Sequence, residues 1–336
     1  MFHLPKEITL HNIESVAPHL GTGPDSLLRI PETLRVTLND NAKTRAFHSA
    51  GCELRFRLNS PSFKINIEAC DVGATQHGGG LAQILFGDFS HSYVPVVMGK
   101  NEFEFSQPNH ENLAKVSHNP IFNPKLVRVL LPTHSAICGI KLEGDFSAPE
   151  PGDIPSRRVL HYGSSITQGS GSLSSRESWA GISARNLDAD LINLGFGGGC
   201  HCEPEMTDYL CARNDFNFAV IESGINMLEL DPETAEANIR NLIHKFSIAH
   251  ADKPIFFVGV FPCHNDIQND FQGRARAFRE LVETEVKALN QPNIHFIDGK
   301  QALDPRTGLT TDLTHPSPAG MIQTGEFVSA EIKKRM

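Results

Sequence analysis

The spacing of apolar residues after residue 158 constrains the fold of this 336-residue chain more than any other feature. Short apolar runs alternate there with longer segments whose apolar residues fall on one face of a helix. Strands apolar on both faces are typical of buried parallel sheets, and repeated strand–helix units build a doubly wound domain. The sequence therefore predicts a three-layer α/β domain over residues 158–336. Its five parallel strands are predicted at 159–162, 191–194, 218–222, 255–261 and 294–297. Its helices are predicted near 179–187, 203–212, 232–250 and 271–289, with a last one after Pro318.

Residues 1–148 follow a different period. Segments 52–58 and 63–69 alternate between apolar and charged residues, which predicts strands with one buried and one wet face. Further strands are predicted at 34–38, 82–86, 93–97, 103–105, 126–131 and 137–142. Several short strands at this spacing predict an all-β sandwich or jelly roll. His77 stands beside three glycines and is interpreted as a loop tip. Three prolines in residues 149–157 predict a short, stiff linker.

Composition excludes several classes of partner. The formal net charge of −9 disfavours nucleic acid and anionic membranes as main partners. No apolar run approaches the ~20 residues of a membrane span, and no signal peptide is expected. The seven cysteines are odd in number and irregularly spaced, which favours free thiols and a cytoplasmic location. We expect no cofactor, and a homo-oligomer stays open.

Polar and small residues collect where the predicted strands end, the edge at which sites form in such sheets. The first strand ends in Gly163-Ser164-Ser165, the second in a glycine run at 195–199, and the third shortly before Asn226. Asp312 stands three residues before His315, close enough to fix the tautomer of its ring. A serine, a histidine–aspartate pair and amide donors form a set that suits acyl transfer.

These blocks resemble those of the SGNH, or GDSL-type, hydrolases, whose catalytic domain is flavodoxin-like. The first block there usually reads Gly-Asp-Ser, and here it reads Gly163-Ser164-Ser165. The resemblance implies that Ser165 is the nucleophile, with His315 and Asp312 as its catalytic partners and no metal.

The other two blocks imply an oxyanion hole made by the N–H of Ser165, the N–H of Gly198 and the side chain of Asn226. Gly195 is the alternative glycine. The third block, usually Gly-x-Asn-Asp, reads Gly224-Ile225-Asn226-Met227 here. Ser164 and Met227 therefore depart from the family pattern, which argues against its lipase-like substrates.

A β-rich domain ahead of the catalytic one resembles a two-domain subset that includes carbohydrate deacetylases and a few acyltransferases. The function implied is a serine esterase that removes a short acyl group, with acetyl as the first candidate, from a hydroxylated substrate such as a sugar. The partner implied is therefore a small-molecule or carbohydrate ester. Two alternatives stay open: an acyltransferase using the same triad, and a non-catalytic carbohydrate-binding protein. The β domain either binds part of the substrate or only shields the second domain and mediates assembly of the protein.

Some residues near the blocks allow other interpretations. Cysteines and histidines could form a metal cluster, although Cys-x-Cys is tighter than usual zinc spacing. That cluster would comprise Cys200, His201, Cys202, Cys211, Cys263 and His264. Candidates for substrate contact are Phe196, His201, Met227 and His264. Trp179, the one tryptophan, is predicted as a core anchor rather than a sugar-stacking platform.

Overall fold

The computed structural model of this chain describes residues 1–19, 23–70, 79–267 and 273–336, so His77 lies outside the described residues. The chain forms two compact units. The first comprises Met1–Glu32 and Thr44–Ser156, and the second comprises Thr33–Lys43 and Arg157–Met336. The sequence-based boundary assigned residues 33–43 to the first domain, whereas their contacts group them with the second.

The first unit is built from short strands in two main sheets. One sheet has the order β1-β11-β6-β9, and the other has the order β12-β5-β10-β7-β8, with β2 paired to β5. The strands are β1 (Phe2–His3), β2 (Thr9–His11), β3 (Ser15–Pro18), β4 (Asp25–Leu28), β5 (Glu53–Leu58), β6 (Ser62–Cys70), β7 (Gly79–Phe86), β8 (Phe89–Val97), β9 (Gly99–Ser106), β10 (Leu126–Leu130), β11 (Ala136–Glu143) and β12 (Phe146–Ser147). The first half of the chain also contains α1 (Glu32–Arg35), α2 (Asp40–Arg45) and α3 (His110–Val116).

A single hydrophobic core joins the two sheets. Leu54 and Phe56 of β5 share it with Ile65 and Ile67 of β6, and all four are fully buried. The alternation along β6 matches the predicted pattern, since Lys64 between two core residues is exposed. Two largely antiparallel sheets around one core form the predicted all-β sandwich.

The charged side of β5 is not wet, which corrects the expectation for that strand. Glu53 and Arg55 are buried. The Glu53 carboxylate accepts hydrogen bonds from Arg55 and from Arg128 of β10. The Arg128 guanidinium also lies 3.6 Å from the centroid of the Phe122 ring. Burial would raise the pKa of Glu53, but the two guanidinium charges outweigh it and hold that pKa well below its usual range.

Two other segments of the first half differ from their predictions. Residues 34–38, predicted as a strand, fall in α1 and the turn after it, where Thr37 donates to the Leu34 carbonyl from both N–H and Oγ1. Within the proline-rich stretch, Asp153 is fully buried and forms a double hydrogen bond with Arg57, at 2.8 Å for each contact. The predicted linker is therefore anchored to the sandwich up to residue 156.

The second unit alternates strands and helices as predicted. Its strands are β13 (Arg158–Gly163), β14 (Asp190–Gly195), β15 (Phe218–Glu222), β16 (Ile255–Val258) and β17 (Ile294–Ile297). Its helices are α4 (Ser165–Gln168), α5 (Trp179–Asn186), α6 (Pro204–Ala212), α7 (Pro232–Ala249), α8 (Arg274–Ala288), α9 (Pro305–Gly308) and α10 (Pro318–Lys333). The predicted start of α8 at Phe271 lies outside the described residues.

The five strands form one parallel sheet in the order β14-β13-β15-β16-β17. The chain moves outward in opposite directions on the two sides of β13, so the carboxyl end of β13 is the switch point where such sheets bind ligands. Trp179 is fully buried at the start of α5, as predicted for a core anchor. Within the described ranges, none of the helices combines the length and apolar character that crossing a membrane requires.

Candidate active site

Ser165 lies at the switch point, on the turn that joins β13 to α4. Ser164 caps this short helix, and its Oγ accepts a hydrogen bond from the Ile166 N–H at 3.1 Å. Ser165 is the first residue of the helix, so its own N–H has no intrahelical acceptor. The turn therefore presents, at the end of the sheet, the hydroxyl of Ser165 and an N–H that has no acceptor among the described residues.

The structure brings Ser165, His315 and Asp312 into one hydrogen-bonded series. Ser165 Oγ lies 2.7 Å from His315 Nε2, and His315 Nδ1 lies 2.7 Å from Asp312 Oδ2. The His315 side chain is 30% exposed and Asp312 51% exposed, so the series opens to solvent. This geometry allows His315 to take a proton from Ser165 while the carboxylate holds the ring.

The loop before α10 fixes the Asp312 carboxylate in place. Its Oδ1 accepts hydrogen bonds from the Thr314 N–H, the His315 N–H and Thr310 Oγ1, at 2.8 to 2.9 Å. Partial burial would raise the pKa of Asp312, but the bonds from His315, Thr310 and Thr314 outweigh it and hold that pKa well below its usual range. Leu313 has φ +55°, a left-handed conformation that lets three donors converge on one oxygen. Asp312 is therefore an ionised acceptor at neutral pH.

Two further donors follow β14 and β15. Asn226 Oδ1 accepts from the Cys200 N–H at 3.3 Å, which orients the amide so that Nδ2 is its remaining donor. Gly198 adopts φ +67°, and no acceptor for its N–H lies within hydrogen-bonding distance in the described part of the chain. The alternative glycine, Gly195, has its N–H bound to Asn193 Oδ1 at 2.9 Å and is not available as a donor.

Two of the four predicted substrate contacts are ruled out by burial. Phe196 and Met227 are completely buried, and Phe196 packs against Tyr162, so neither side chain is accessible to a ligand. Phe196 stands within the glycine run and Met227 follows Asn226, and sequence position alone could not show that both side chains are buried. His201 and His264 are half-buried. His264 Nδ1 lies 2.9 Å from Thr314 Oγ1, next to the Asp312–His315 pair.

Glu222, the last residue of β15, has a role that its sequence context did not reveal. Its Oε2 accepts three hydrogen bonds, from the Ser164 N–H and Oγ at 2.7 Å each and from Thr167 Oγ1 at 3.0 Å. A Cβ at Gly163 would lie 2.6 Å from this oxygen, so only glycine fits there. The contact explains why serine replaces the usual aspartate at position 164: a second carboxylate would face Glu222. The signal in the sequence was an acidic residue at the end of an otherwise apolar strand.

Burial raises the pKa of Glu222 to about 7, against the hydrogen bonds from Ser164 and Thr167 that lower it. The carboxyl is fully buried, and its Oε1 has no hydrogen-bond partner among the described residues. Glu222 therefore supports the nucleophile turn and titrates near neutral pH.

The structure does not assemble the cysteines and histidines into a ligand set. In the described ranges, no group of three His, Cys, Asp or Glu side chains is placed to hold a metal ion. Cys200, Cys202 and Cys263 are buried free thiols.

Comparison with solved structures places the whole chain in a known fold. A salicylyl-acyltransferase, SsfX3, from a tetracycline biosynthetic pathway aligns with a TM-score of 0.75 at 20% identity, over 98% of this chain and 95% of that one. A protein described as a GDSL-like lipase from Bacteroides ovatus aligns with a TM-score of 0.74 at 18% identity, over 98% of both chains. A family two carbohydrate esterase from Clostridium thermocellum, in complex with cellohexaose, aligns with a TM-score of 0.58 at 19% identity, over 84% of this chain and 91% of that one.

These likenesses concern the fold, including a second domain ahead of the catalytic one. No curated protein sequence matches the chain. The family of GDSL-like lipases and acylhydrolases matches residues 156–333, slightly more than half of the chain. The resemblance found in the sequence blocks is confirmed, and the chain belongs to the GDSL-like lipase/acylhydrolase family.

Proposed function

We propose that this protein is a serine esterase that hydrolyses a short acyl ester of a hydroxylated substrate through an acyl-enzyme at Ser165. One observation carries the proposal: the 2.7 Å contacts that link Ser165 Oγ to His315 Nε2 and His315 Nδ1 to Asp312 Oδ2. In this mechanism Ser165 Oγ attacks the ester carbonyl and its proton passes to His315 Nε2. The Asp312 carboxylate stabilises the imidazolium that results.

Three donors would hold the oxyanion of the tetrahedral intermediate: the Ser165 N–H, the Gly198 N–H and Asn226 Nδ2. Two observations support this assignment. The N–H groups of Ser165 and Gly198 lack a protein acceptor in the described ranges, and the Asn226 amide is oriented by the bond that its Oδ1 accepts from Cys200. Fixed donors of this kind stabilise charge that develops only in the transition state.

The intermediate collapses when His315 returns its proton to the leaving alcohol, which leaves the acyl group on Ser165. A water molecule then gives its proton to His315 and attacks the acyl carbonyl. The second tetrahedral intermediate releases the acid and restores the Ser165 hydroxyl. The open side of His315 leaves room for this water.

We propose an acetylated carbohydrate as the substrate class. The support is architectural: carbohydrate esterases, including an acetyl xylan esterase from Butyrivibrio proteoclasticus with a TM-score of 0.54, share the arrangement of a catalytic domain with a second domain. An acyltransferase differs only in the acceptor that replaces water. It is kept as a second candidate because one of the structures aligned over 98% of this chain is a salicylyl-acyltransferase.

Labelling with a serine-directed aryl phosphonate tests the assignment. We expect one modified peptide containing Ser165, and no label or esterase activity in Ser165→Ala. Ser183 is a matched control, because it is a buried serine whose Oγ has no partner in the described residues, and Ser183→Ala should label normally. Label on another residue, with activity retained in Ser165→Ala, would contradict the mechanism.

A substrate panel then separates the two candidate reactions. Acetylated sugars and longer-chain aryl esters are incubated with and without an added alcohol acceptor, and both the free acid and any new ester are quantified. Free acetate without a new ester supports the esterase. A new ester in preference to free acid supports the transferase.

A further inference from the structure

A segment from the first half of the chain reaches the loop that carries Gly198. We call Thr33–Lys43 the insert. It belongs to the second unit, although it precedes the rest of that unit, Arg157–Met336, by more than a hundred residues. Within this unit, Asn41 Nδ2 donates to the Gly198 carbonyl at 3.0 Å, and Asn39 Nδ2 donates to the Gly199 carbonyl at 3.0 Å. The insert therefore contacts two consecutive carbonyl groups of the glycine loop.

The packing between insert and loop is close. A Cβ at Gly199 would lie 2.6 Å from the Ala42 backbone nitrogen, and a Cβ at Gly198 would lie 3.0 Å from Asn41 Nδ2. Gly198 also needs its left-handed φ of +67°, which strains any side chain. Both glycines are thus explained by the insert and not only by the turn.

The hydrogen bonds of residues 197–200 leave one amide unused. The Gly197 N–H donates to Gln168 Oε1, the Gly199 N–H to the Phe196 carbonyl and the Cys200 N–H to Asn226 Oδ1, at 2.8, 3.0 and 3.3 Å. The described ranges provide no acceptor for the Gly198 N–H. Asn41 binds the Gly198 carbonyl and Asn39 binds the Gly199 carbonyl. The peptide groups before and after the one that carries the Gly198 N–H are therefore both held by side chains.

Asn39 is itself fixed by several contacts. Its N–H and Nδ2 both donate to Glu203 Oε1, at 2.9 and 2.6 Å, and its Oδ1 accepts from the Ala42 N–H at 2.9 Å. Glu203 is the N-cap position of α6, the helix that follows the glycine loop. The insert is therefore tied to both ends of the loop.

We propose that Asn41 and Asn39 are positioning residues that hold the glycine loop with the Gly198 N–H directed at the reacting oxygen. The catalytic unit then depends on a segment that lies in the first half of the sequence. This inference rests on the proposed esterase mechanism, because the oxyanion is what the Gly198 amide would bind. A donor acts in catalysis only when its position is set before the charge develops, and small displacements reduce rates strongly.

Asn41 is the better probe, because it is exposed and its loss removes one solvent-accessible hydrogen bond, which contributes little to stability. We expect Asn41→Ala to lower kcat about tenfold with KM nearly unchanged, less than loss of a direct oxyanion donor. Asn41→Asp has the same shape but places an acceptor against the Gly198 carbonyl, so its kcat should fall at least as far. The rate of phosphonate labelling at Ser165 should fall in parallel, since the adduct also occupies the oxyanion position.

Asn293→Ala is a matched control in the same unit. Asn293 Nδ2 donates to the carbonyls of Ala251 and Lys253, at 3.0 and 2.7 Å, near the amino end of β16 and opposite the edge that carries the site. This variant loses the same kind of contact and should change the melting temperature but not kcat.

The outcomes separate the two proposals. Normal kcat and labelling rates in both Asn41 variants, with a reactive wild type, would remove the positioning role and leave the esterase intact. A KM increase at unchanged kcat would make Asn41 a substrate contact and also overturn the positioning role. A wild-type protein that neither cleaves esters nor reacts with the phosphonate would overturn the esterase and the positioning role together.

Discussion

Replacing Glu222 with glutamine should change how the stability of this protein depends on pH. Burial raises the pKa of Glu222 to about 7 in the folded protein, against a value of 4.5 for an unperturbed glutamate. A difference of about 2.5 pKa units between the folded and unfolded states corresponds to about 3 kcal/mol of free energy. Because the side chain is completely buried, solvent screening does not reduce this figure.

The sign follows from which state holds the proton. Between pH 4.5 and 7 the folded protein keeps the Glu222 proton that the unfolded chain has lost. The stability linked to this group is therefore complete below pH 4.5 and is lost as the pH rises through about 7. Raising the pH across this window lowers the free energy of unfolding.

Urea denaturation at closely spaced pH values between about 4.5 and 8.5 measures the effect. Other groups also titrate in this range, so the useful quantity is the difference between wild type and Glu222→Gln. Glutamine does not titrate, so any misfit of its amide changes the difference in unfolding free energy by the same amount at every pH. We expect the wild-type advantage in unfolding free energy to decrease by about 3 kcal/mol across the window.

Ser164→Ala provides an independent check on the cause. It removes a hydroxyl that donates to Glu222 Oε2 and favours the ionised form, so the pKa of Glu222 should rise further and the window should move to higher pH. A wild-type advantage that stays constant with pH would refute the reasoning. An advantage that grows with pH would mean that hydrogen bonding, rather than burial, dominates at this carboxyl.

Three more results are expected at the site. Asn226→Ala should lower kcat by about 10²–10³ with KM nearly unchanged, and a normal kcat in folded protein would remove Asn226 from the oxyanion hole. Asp312→Asn should lower kcat by about 10⁴, because an amide no longer holds the His315 tautomer; a melting curve like that of wild type would exclude misfolding as the reason. Dialysis against a chelator should leave ester hydrolysis unchanged, whereas a large loss restored by zinc would indicate a metal site at Cys200 and Cys202.

The parts of the fold that sequence predicted well are those with a local physical cause. The strand at Phe218–Glu222 was predicted with its observed bounds, because a run of four apolar residues before Glu222 suits a buried parallel strand. Helix α7 begins at Pro232, as predicted, because the side chain of Asp231 before it accepts from the Thr234 N–H at 2.9 Å and caps the helix. The family resemblance followed from four short blocks whose spacing needs no knowledge of packing.

The parts that sequence could not predict depend on distant partners. Glu53 and Arg55 alternate with apolar residues like a wet face, and their burial depends on their contact with each other and with Arg128, which is distant in the sequence. Glu222 had no visible role until Ser164 and Thr167 were placed beside it. The predicted contacts at Phe196 and Met227 are wrong, because the loops that carry them direct these side chains into the core.

The insert also has a consequence for how the protein is made. Asn41 and Gly198 are 157 residues apart, so at a synthesis rate of about 5–20 residues per second the loop follows its partner by roughly 10 to 30 seconds. Strands β5 to β12 are synthesised in that interval, whereas β1 to β4 precede the insert, which does not belong to the sandwich. Residues 33–43 therefore lack these partners until Gly198, Gly199 and Glu203 have been synthesised, whereas the strands of the first unit are complete before that point.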